Sequence, residues 1–337
     1  MRSEEAMSKA LVEVLLKPEI YPHHPQKVEL VQTQMSFLFL TGDYVYKVKK
    51  PVDLGFLDYT TLEKRRFFCQ QEIELNRRLC PDAYLEVVPI VSRRGQIHLG
   101  GEGEATEYAV KMRQLPADRM LDKLLPLGLV TGEMVARVAE KLAAFHYAAV
   151  TSPEISAYGK IEAIKINTDE NFAQTEKYID ISIPSNTYHQ IKSYTDSFLQ
   201  SNKSLFRKRV KDGRIRDCHG DLHAAHVCIS NGICIYDCIE FNDRFRYGDV
   251  ASEVAFLAMD VDRFQHAELS QAFIDSYVHL SGDKELPWLL NFYKCYRAYV
   301  RGKVTSFMLD DPYIPEKEKA GLLAAAKKYF ELAQSYI

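Results

Sequence analysis

The stretch Cys218–Phe241, which reads CHGDLHAAHVCISNGICIYDCIEF, is the most informative part of this chain of 337 residues. Its second half predicts a β-hairpin, because two short runs of strand-forming residues flank Asn231-Gly232. Asn-Gly favours a tight turn since both residues tolerate a positive φ. Asp221 lies in the loop before the hairpin and Asp237 at its exit. Folding of the hairpin is therefore expected to bring the two carboxylates together.

These residues have the minimal layout for phosphoryl transfer, which needs a loop Asp, a polar residue five positions later and an Asp after the next strand. In that layout Asp221 orients and deprotonates a hydroxyl, while His226 and Asp237 hold the metal ion that neutralises the phosphates. An imidazole nitrogen suits Mn²⁺ or Zn²⁺ better than Mg²⁺. The alternative is that His226 only hydrogen-bonds within the loop and that Asp237 holds the metal alone.

The motif His219-Gly220-Asp221-Leu222, followed by Ile235-Tyr236-Asp237, resembles the signature of the aminoglycoside phosphotransferase and choline kinase-like family. The segments 236–242 and 248–251 resemble an uncharacterised bacterial branch of that family. The resemblance implies an α+β, bilobal, protein-kinase-like fold with a small antiparallel-sheet lobe and a larger, mostly helical lobe. It also implies ATP as the phosphate donor, Mg²⁺ as the metal, with Mn²⁺ as the other candidate, and a hydroxyl-bearing small molecule as the acceptor.

The amino-acid composition indicates the class of protein. With 47% hydrophobic and 26% charged residues the chain is typical of a soluble globular protein. A net charge of −3 without a long basic block argues against nucleic acid as the main partner. The apolar runs are too short to span a bilayer. Seven cysteines without a recognisable signal peptide predict a reducing cytoplasm.

The cysteines of the motif stretch could also suggest a structural zinc site. Their spacing matches no C-x2-C pairing, and three of them lie in apolar strand sequence. We therefore expect them to be buried small apolar side chains. These cysteines are Cys218, Cys228, Cys234 and Cys238.

The first part of the chain is predicted to be a sheet with one inserted helix. The pattern predicts a helix over residues 4–17, and the capping-box sequence Thr60-Thr61-Leu62-Glu63 introduces another over Leu62–Leu79. Five main strands and one short one are predicted: Val28–Thr33, Met35–Thr41, Tyr44–Lys49, Tyr84–Val91, the short Gln96–Leu99 and Glu107–Arg113.

The rest of the chain is predicted to be mostly helical. Helices are expected over 131–148, 249–260 and 289–307, whereas 151–205 is too weakly patterned for its elements to be bounded. Pro116 ends the last strand, so we place the lobe boundary beside it. The predicted domains are a nucleotide-binding lobe, 1–114, and a catalytic and acceptor-binding lobe, 115–337.

A cation for the nucleotide phosphates is predicted on the third strand. Lys47 and Lys49 share one face because side chains alternate along a strand, and Lys47 fits the V-A-I-K pattern better, with Lys49 as its competitor. Glu72 interrupts an apolar helical stripe, which is costly unless the carboxylate meets a cation. In the resembling family this helix carries the Glu that pairs with the strand lysine. A Glu at the stripe's edge that reaches water is the alternative.

The remaining nucleotide contacts are less distinct. The turn between the first two strands, Thr33-Gln34-Met35-Ser36, contains no glycine, so backbone amides and the hydroxyls of Thr33 and Ser36 would have to cradle the phosphates. Gln114 and Leu115 are predicted to border the adenine pocket at the hinge.

Candidate acceptor contacts are His223, Glu240 and Arg297, with Arg301 as an alternative to Arg297. Asp249 precedes an apolar helix and is predicted to cap it rather than to take part in chemistry.

The sequence favours an ATP-dependent phosphotransferase whose acceptor is a sugar, a polyol or an aminoglycoside-like molecule. Two other classes stay open. A nucleotide-binding pseudokinase that acts through a partner would fit the missing glycine loop and His226, where the family usually has Asn. A zinc-binding interaction module would rest on the Cys and His density alone.

Overall fold

The computed structural model describes residues 10–311 and 314–337. The chain divides into two compact units: unit 1 comprises Met1–Arg119 and Cys228–Asp243, and unit 2 comprises Met120–Val227 and Arg244–Ile337. The predicted lobe boundary beside residue 115 concerns functional lobes and stays a prediction. The division into compact units differs from the predicted lobes mainly because residues 228–243 group with the N-terminal residues.

Unit 1 is built on one antiparallel sheet of six strands in the order β1-β2-β3-β6-β4-β5. The short predicted strand is a full member of this sheet, because Gln96–Leu99 pairs with the end of the strand before it. The strands are β1 Glu29–Gln32, β2 Ser36–Leu40, β3 Tyr44–Lys49, β4 Tyr84–Arg93, β5 Gln96–Leu99 and β6 Glu104–Arg113.

Two helices accompany the sheet. Residues 10–15 are helical (α1), and the rest of the predicted helix over 4–17 lies partly outside the described residues. The second helix, α2, runs over Leu62–Asn76 with Thr61 as its N-cap. The prediction that it continues to Leu79 was wrong, since Arg77 is the C-cap and the N–H groups of Arg78 and Leu79 bond to carbonyls only three positions back.

The sheet has an apolar cluster on each face. Val45 and Val110 pack with Cys69 and Ile73 of α2 on one face, while Tyr46 and other buried residues form the second cluster. Burial of each large aliphatic side chain contributes about 1.5–3 kcal/mol. Because β3 alternates, Lys47 and Lys49 share the face of Val45, which is the face that α2 covers.

The predicted hairpin is confirmed: β8 (Val227–Ile229) and β9 (Ile233–Ile235) form a two-stranded sheet. Ser230 donates its backbone N–H to the Gly232 carbonyl and so closes the turn. Except for Val227 the hairpin belongs to unit 1.

Unit 2 is mostly helical, as predicted. The helices predicted over 131–148, 249–260 and 289–307 are all present, and the weakly patterned region 151–205 is also helical. The helices are α3 Leu121–Leu124, α4 Gly132–Ala148, α5 Pro153–Ala157, α6 Ile161–Thr175, α7 Ser185–Ser201, α8 Lys203–Lys211, α9 Asp243–Arg246, α10 Val250–Arg263, α11 Ala267–Ser281, α12 Leu286–Phe307 and α13 Glu316–Gln334. Two short strands, β7 Ile215–Asp217 and β10 Tyr247–Asp249, pair with each other.

The core of unit 2 is formed by its long helices. Phe256 and Met259 of α10 pack with Tyr299 of α12 and Phe330 of α13 in one buried cluster. Within the described residues, no helix is both long enough and apolar enough to cross a membrane.

Cys80 and Cys234 form a disulfide within unit 1. This corrects the expectation that Cys234 is an unpaired, buried apolar side chain. The bond joins the segment after α2 to β9 across a sequence separation of 154 residues, so the local spacing of the cysteines gave no sign of it. The other three cysteines of the motif stretch, Cys218, Cys228 and Cys238, are free and buried as expected.

Candidate active site

In unit 1 two lysines and three carboxylates form a continuous lysine–carboxylate cluster, comprising Lys47, Lys49, Glu72, Asp237 and Glu240. Lys47 Nζ lies 2.8 Å from Glu72 Oε1 and 2.9 Å from Asp237 Oδ1. Lys49 Nζ lies 2.7 Å from Glu72 Oε2 and also pairs with Glu240. The buried carboxylate of Glu72 therefore bridges both lysines, and the sequence argument that it must meet a cation agrees with this geometry.

Burial distinguishes the two lysines. The side chain of Lys49 is 1% exposed, that of Lys47 is 14% exposed, and that of Asp237 is 43% exposed. The Lys47–Asp237 pair thus forms the solvent-facing end of the cluster, while Lys49 lies at its closed end. This arrangement favours Lys47 as the lysine available to a ligand.

The neighbouring charges keep both lysines and Glu72 ionised at neutral pH. Burial would lower the pKa of Lys47, but Asp237 and Glu72 raise it well above its usual value. Burial likewise opposes ionisation of Glu72, yet the two lysines lower its pKa. Opposite charges at close range outweigh desolvation in both cases.

Asp237 is held in an uncommon backbone conformation with φ of 61°, which Asp tolerates better than most residues do. Its N–H donates to the hydroxyl of Tyr84 at 3.1 Å. The next N–H, that of Cys238, donates to Asn76 Oδ1 at 2.9 Å. Sequence reasoning missed Tyr84 and Asn76, because neither carries a charge that would mark it.

In unit 2 the loop His219–His226 is held by buried carboxylates of α10. Glu253 accepts the N–H groups of His219 at 2.9 Å and of Gly220 at 2.6 Å. Asp260 accepts the N–H of Ala224 at 2.8 Å. Sequence reasoning missed both residues, although a carboxylate within an apolar helical run is the same signal that identified Glu72.

The ionisation of Glu253 is also set by its neighbours. Burial raises its pKa, but a hydrogen bond with His146 and the surrounding donors overcome this and lower it to about 2. His146 Nε2 lies 2.8 Å from Glu253 Oε2, and its Nδ1 lies 2.7 Å from the Tyr277 hydroxyl. The loop is therefore anchored to an ionised, fully hydrogen-bonded group.

Asp221 lies between two histidines of the same loop. Its Oδ2 is 3.6 Å from His223 Nε2 and 3.6 Å from His226 Nδ1, and a third of its side chain is exposed. His226 Nδ1 also lies 2.9 Å from the Asp221 carbonyl oxygen. Although burial opposes ionisation, His223, His226 and Arg301 hold the pKa of the Asp221 carboxyl well below its usual range.

The predicted phosphate-cradling turn is closed on itself. Thr33 Oγ1 accepts the N–H groups of Ser36 at 3.0 Å and of Met35 at 3.3 Å, and Ser36 is only 2% exposed. The turn must therefore open before either amide can bind a phosphate. Of the hinge candidates, Gln114 accepts the N–H of Gly42 at 3.2 Å, and Leu115 packs against the apolar cluster that contains Val45.

The candidate acceptor contacts have partners that differ from those expected. Glu240 accepts a hydrogen bond from the Tyr59 hydroxyl at 2.6 Å besides pairing with Lys49. Arg297 donates to the Gly220 carbonyl at 3.1 Å and to Ser252 Oγ at 3.0 Å. Both residues thus support neighbouring parts of their own units.

The structural assignment of Asp249 is confirmed. It is the N-cap of α10 and accepts the Ala251 N–H at 2.9 Å. It also receives two hydrogen bonds from the buried Arg209, at 2.9 and 2.6 Å. The Asp221–Asp237 and His226–Asp237 pairings join residues of different units, and both stay predictions.

Comparison with known proteins agrees with the resemblance stated from sequence. Residues 128–288 match the model of a family described as "Phosphotransferase enzyme family". Two uncharacterised proteins, one from Mycobacterium bovis and one from Mycobacterium tuberculosis, are each 33% identical over 279 residues, which is 82% of this chain and 54% of theirs. The chain spans about half the length of the curated relatives it matches.

A solved structure shows the same fold. The choline/ethanolamine kinase family protein from Mesorhizobium loti has a TM-score of 0.56 and 13% sequence identity, and the match covers 97% of this chain and 98% of that one. The predicted α+β, bilobal, protein-kinase-like fold class is thereby confirmed, as is the resemblance to the aminoglycoside phosphotransferase and choline kinase-like family.

Proposed function

We propose that this protein is an ATP-dependent phosphotransferase that moves the γ-phosphate to a hydroxyl of a small molecule. The lysine–carboxylate cluster is the observation that carries the proposal. Lys47 lies at the solvent-facing end of the cluster next to Asp237, and an ion pair with the buried Glu72 holds it there. A charged lysine beside an exposed carboxylate is the arrangement needed to position nucleotide phosphates together with their metal ion.

The metal fits the residues present. Asp237 offers an exposed carboxylate, the ligand type that Mg²⁺ prefers, and His226 is the proposed second ligand, which would favour Mn²⁺. When bound, such an ion neutralises the phosphate oxygens. Lys47 binds those oxygens, while Glu72 keeps the lysine charged and oriented.

Asp221 is proposed to orient the acceptor hydroxyl and to take its proton. Its low pKa keeps it ionised at neutral pH, so it can accept a hydrogen bond from a hydroxyl. A weak base suffices because phosphoryl transfer passes through a loose transition state and depends mostly on positioning and charge neutralisation.

The acceptor is proposed to be a sugar or similar polyol rather than a strongly cationic aminoglycoside. Besides the loop histidines, Arg301 is the cation that lowers the pKa of Asp221. Arg301 Nε is buried and has no hydrogen-bond partner among the described residues. This makes Arg301 a better candidate than Arg297 for contact with an electronegative acceptor group.

A nucleotide-binding pseudokinase is the second candidate function. The closed turn at Thr33, whose amides are bound to its own hydroxyl, is the observation that favours it. A protein that binds ATP and yields no phosphorylated product with any acceptor would support this alternative.

The deciding experiment is incubation of the purified protein with γ-labelled ATP, Mg²⁺ or Mn²⁺, and fractionated pools of hydroxyl-bearing metabolites. We expect one labelled product that requires both the protein and one acceptor fraction. The matched control is Asp221→Asn, which should bind ATP but form little product. Absence of product across all pools, with ATP binding intact, would contradict the kinase proposal.

We also propose a cytoplasmic location, which rests on composition alone. The Cys80–Cys234 disulfide is the observation against it, because structural disulfides are rare in reducing compartments. Thiol trapping in intact cells, followed by mass spectrometry of the two cysteines, tests the proposal. A fully oxidised pair would contradict a reducing location.

A further inference from the structure

Three metal-ligand side chains converge on the loop His219–His226. Asp221, His223 and His226 each offer one ligand atom, and these atoms lie within 4.8 Å of one another. The spacing follows from one short turn, in which the His226 N–H donates to the His223 carbonyl at 2.9 Å. The turn brings the two imidazole rings together, with centroids 3.9 Å apart and planes tilted by 34°.

The measured distances suit a tetrahedral ion. Metal–ligand bonds of about 2.1 Å at tetrahedral angles place ligand atoms about 3.4 Å apart. Asp221 Oδ2 lies 3.6 Å from His223 Nε2 and 3.6 Å from His226 Nδ1. Two of the three distances between ligand atoms therefore already match the required value. Small side-chain rotations would bring the third distance, between the two imidazole nitrogens, to the same value.

The loop is rigid enough to maintain this geometry. Its amides are bound by Glu253 and Asp260, and the carbonyl of Gly220 accepts from Arg297. The Asp221 side chain is partly exposed while His223 is buried. A cation can thus reach the carboxylate from solvent and meet the imidazoles behind it.

We propose that Asp221, His223 and His226 form a binding site for a borderline transition-metal ion of the Zn²⁺ class, with water as the fourth ligand. Two imidazoles and one carboxylate favour such ions over Mg²⁺, which prefers oxygen ligands. This site shares His226 with the proposed nucleotide-metal site but differs from it, because all its ligands come from one loop and it needs neither ATP nor Asp237.

Two features of the site oppose binding of a cation. Arg301 places a positive charge near Asp221, and this lowers affinity for a cation. A ligating nitrogen carries no proton, so His226 Nδ1 must give up any hydrogen bond it donates to the Asp221 carbonyl. Since protons compete with the metal for the ligand atoms, binding is expected to weaken under acid conditions.

A bound ion would occupy the carboxylate oxygen that the proposed function assigns to the acceptor hydroxyl. This consequence rests on the proposed function. Ions of the Zn²⁺ class would then inhibit phosphoryl transfer even in excess Mg²⁺.

The other cluster of ligand side chains among the described residues is His146, Cys218 and Glu253. Its members are buried, and His146 and Glu253 are occupied by each other, by Tyr277 and by two backbone N–H groups. We assign this cluster to holding the loop, and it provides a control for the metal experiment.

The test is direct titration of the full chain, stripped of metal and free of nucleotide, with Co²⁺ as a spectroscopic probe and with Zn²⁺ in competition with a chromogenic chelator. We expect one ion per chain, with the visible absorption of four-coordinate Co²⁺ and no thiolate charge-transfer band. Loss of a residue that only supports a metal ligand costs about 10–100-fold in affinity, so His223→Gln or His226→Gln should cost at least that much.

The exposed His189 supplies a matched control, because His189→Gln removes an imidazole elsewhere in the same unit and should leave binding unchanged. Thermal unfolding of each variant shows whether the fold is intact. No saturable binding, wild-type affinity in both loop variants, or a thiolate band lost in Cys218→Ser would each overturn the proposal. Because this titration contains no ATP, its failure is distinguishable from failure of the protein to phosphorylate an acceptor with ATP and Mg²⁺.

Discussion

At the scale of residues, Lys47 and Lys49 lie two positions apart and share Glu72, yet they face different surroundings. Lys49 is enclosed with Glu72, Glu240 and the Tyr59 hydroxyl. Lys47 has Asp237 at the solvent-facing end. The same residue type therefore has two expected roles, stability for Lys49 and ligand binding for Lys47.

Lys49→Ala should destabilise unit 1, because it leaves the buried Glu240 without its lysine and leaves Glu72 with Lys47 alone, and breaking a buried ion pair costs about 3–5 kcal/mol. Lys47→Ala should weaken ATP binding more than it lowers stability, since its side chain is nearer to solvent. Urea unfolding and nucleotide titration of both variants measure this, with the exposed Lys27→Ala as control. Weaker ATP binding in a fully stable Lys49→Ala would reverse the assignment.

Asp221→Asn should lower turnover about 10²–10⁴-fold, the usual contribution of general base catalysis, with little change in ATP affinity or stability. The measurement is single-turnover transfer from labelled ATP once an acceptor has been identified. Asp275→Asn, an exposed carboxylate on α11, is the matched control. Unchanged turnover in Asp221→Asn would exclude the proposed role.

At the scale of elements, α10 anchors the loop His219–His226 through Glu253. The pKa of Glu253 is about 2 in the folded protein, below its ordinary value of 4.5. A depressed carboxyl pKa stabilises the fold above the unfolded-state pKa, and this stability is lost as the pH falls towards the folded-state pKa. The interactions of the Glu253 carboxylate are thus sensitive to acid between pH 4.5 and about 2.

Glu253→Gln should lower the free energy of unfolding at pH 7, by about 3 kcal/mol from the pKa difference. The difference from the wild type should shrink as the pH falls from 4.5 towards 2. Urea unfolding at several pH values checks this, with the exposed Glu133→Gln as control. A difference that stays constant down to the lowest pH would contradict a role for the ionised form.

The disulfide also acts at the scale of elements, because it ties the end of α2 to β9, the strand that leads to Asp237. Its removal should cost about 2–5 kcal/mol of stability. Adding a reductant should therefore lower the melting temperature of the wild type. The Cys80→Ala/Cys234→Ala variant provides the control, since reductant should leave its melting temperature unchanged. Equal sensitivity of the two proteins would mean that the bond does not form in solution.

At the scale of the whole molecule, the sequence predicted what depends on periodicity and local signals. The strands, the helices with clear stripes and the cap at Asp249 belong to this class. Charge inside an apolar stripe located Glu72, and the same rule would have located Glu253 and Asp260. Contacts between distant segments could not be predicted in this way: the Cys80–Cys234 bond joins residues 154 positions apart and leaves no local pattern.

The main feature that local sequence patterns could not predict is which segments of the chain make up unit 1. Residues 228–243 are more than 100 positions from the sheet in sequence, yet they group with it. They supply Cys234 and Tyr236, which pack beside the cluster that contains Val45. They also supply the carboxylates of Asp237 and Glu240, which neutralise the two lysines of β3. The N-terminal residues alone therefore lack part of their packing and have only Glu72 of this cluster to compensate the two lysines.

A fragment of residues 10–119 should consequently fail to unfold cooperatively, because Lys47 and Lys49 would be buried with Glu72 as the only described carboxylate of the cluster left to meet them. Joining residues 228–243 to that fragment through a flexible linker should restore a cooperative transition. Circular dichroism during urea titration measures the change. The matched control is the same fusion with Asp237→Ala and Glu240→Ala, which should remain non-cooperative. Cooperative unfolding of the unfused fragment would show that the sheet and α2 suffice, and that unit 1 does not depend on the distant segment.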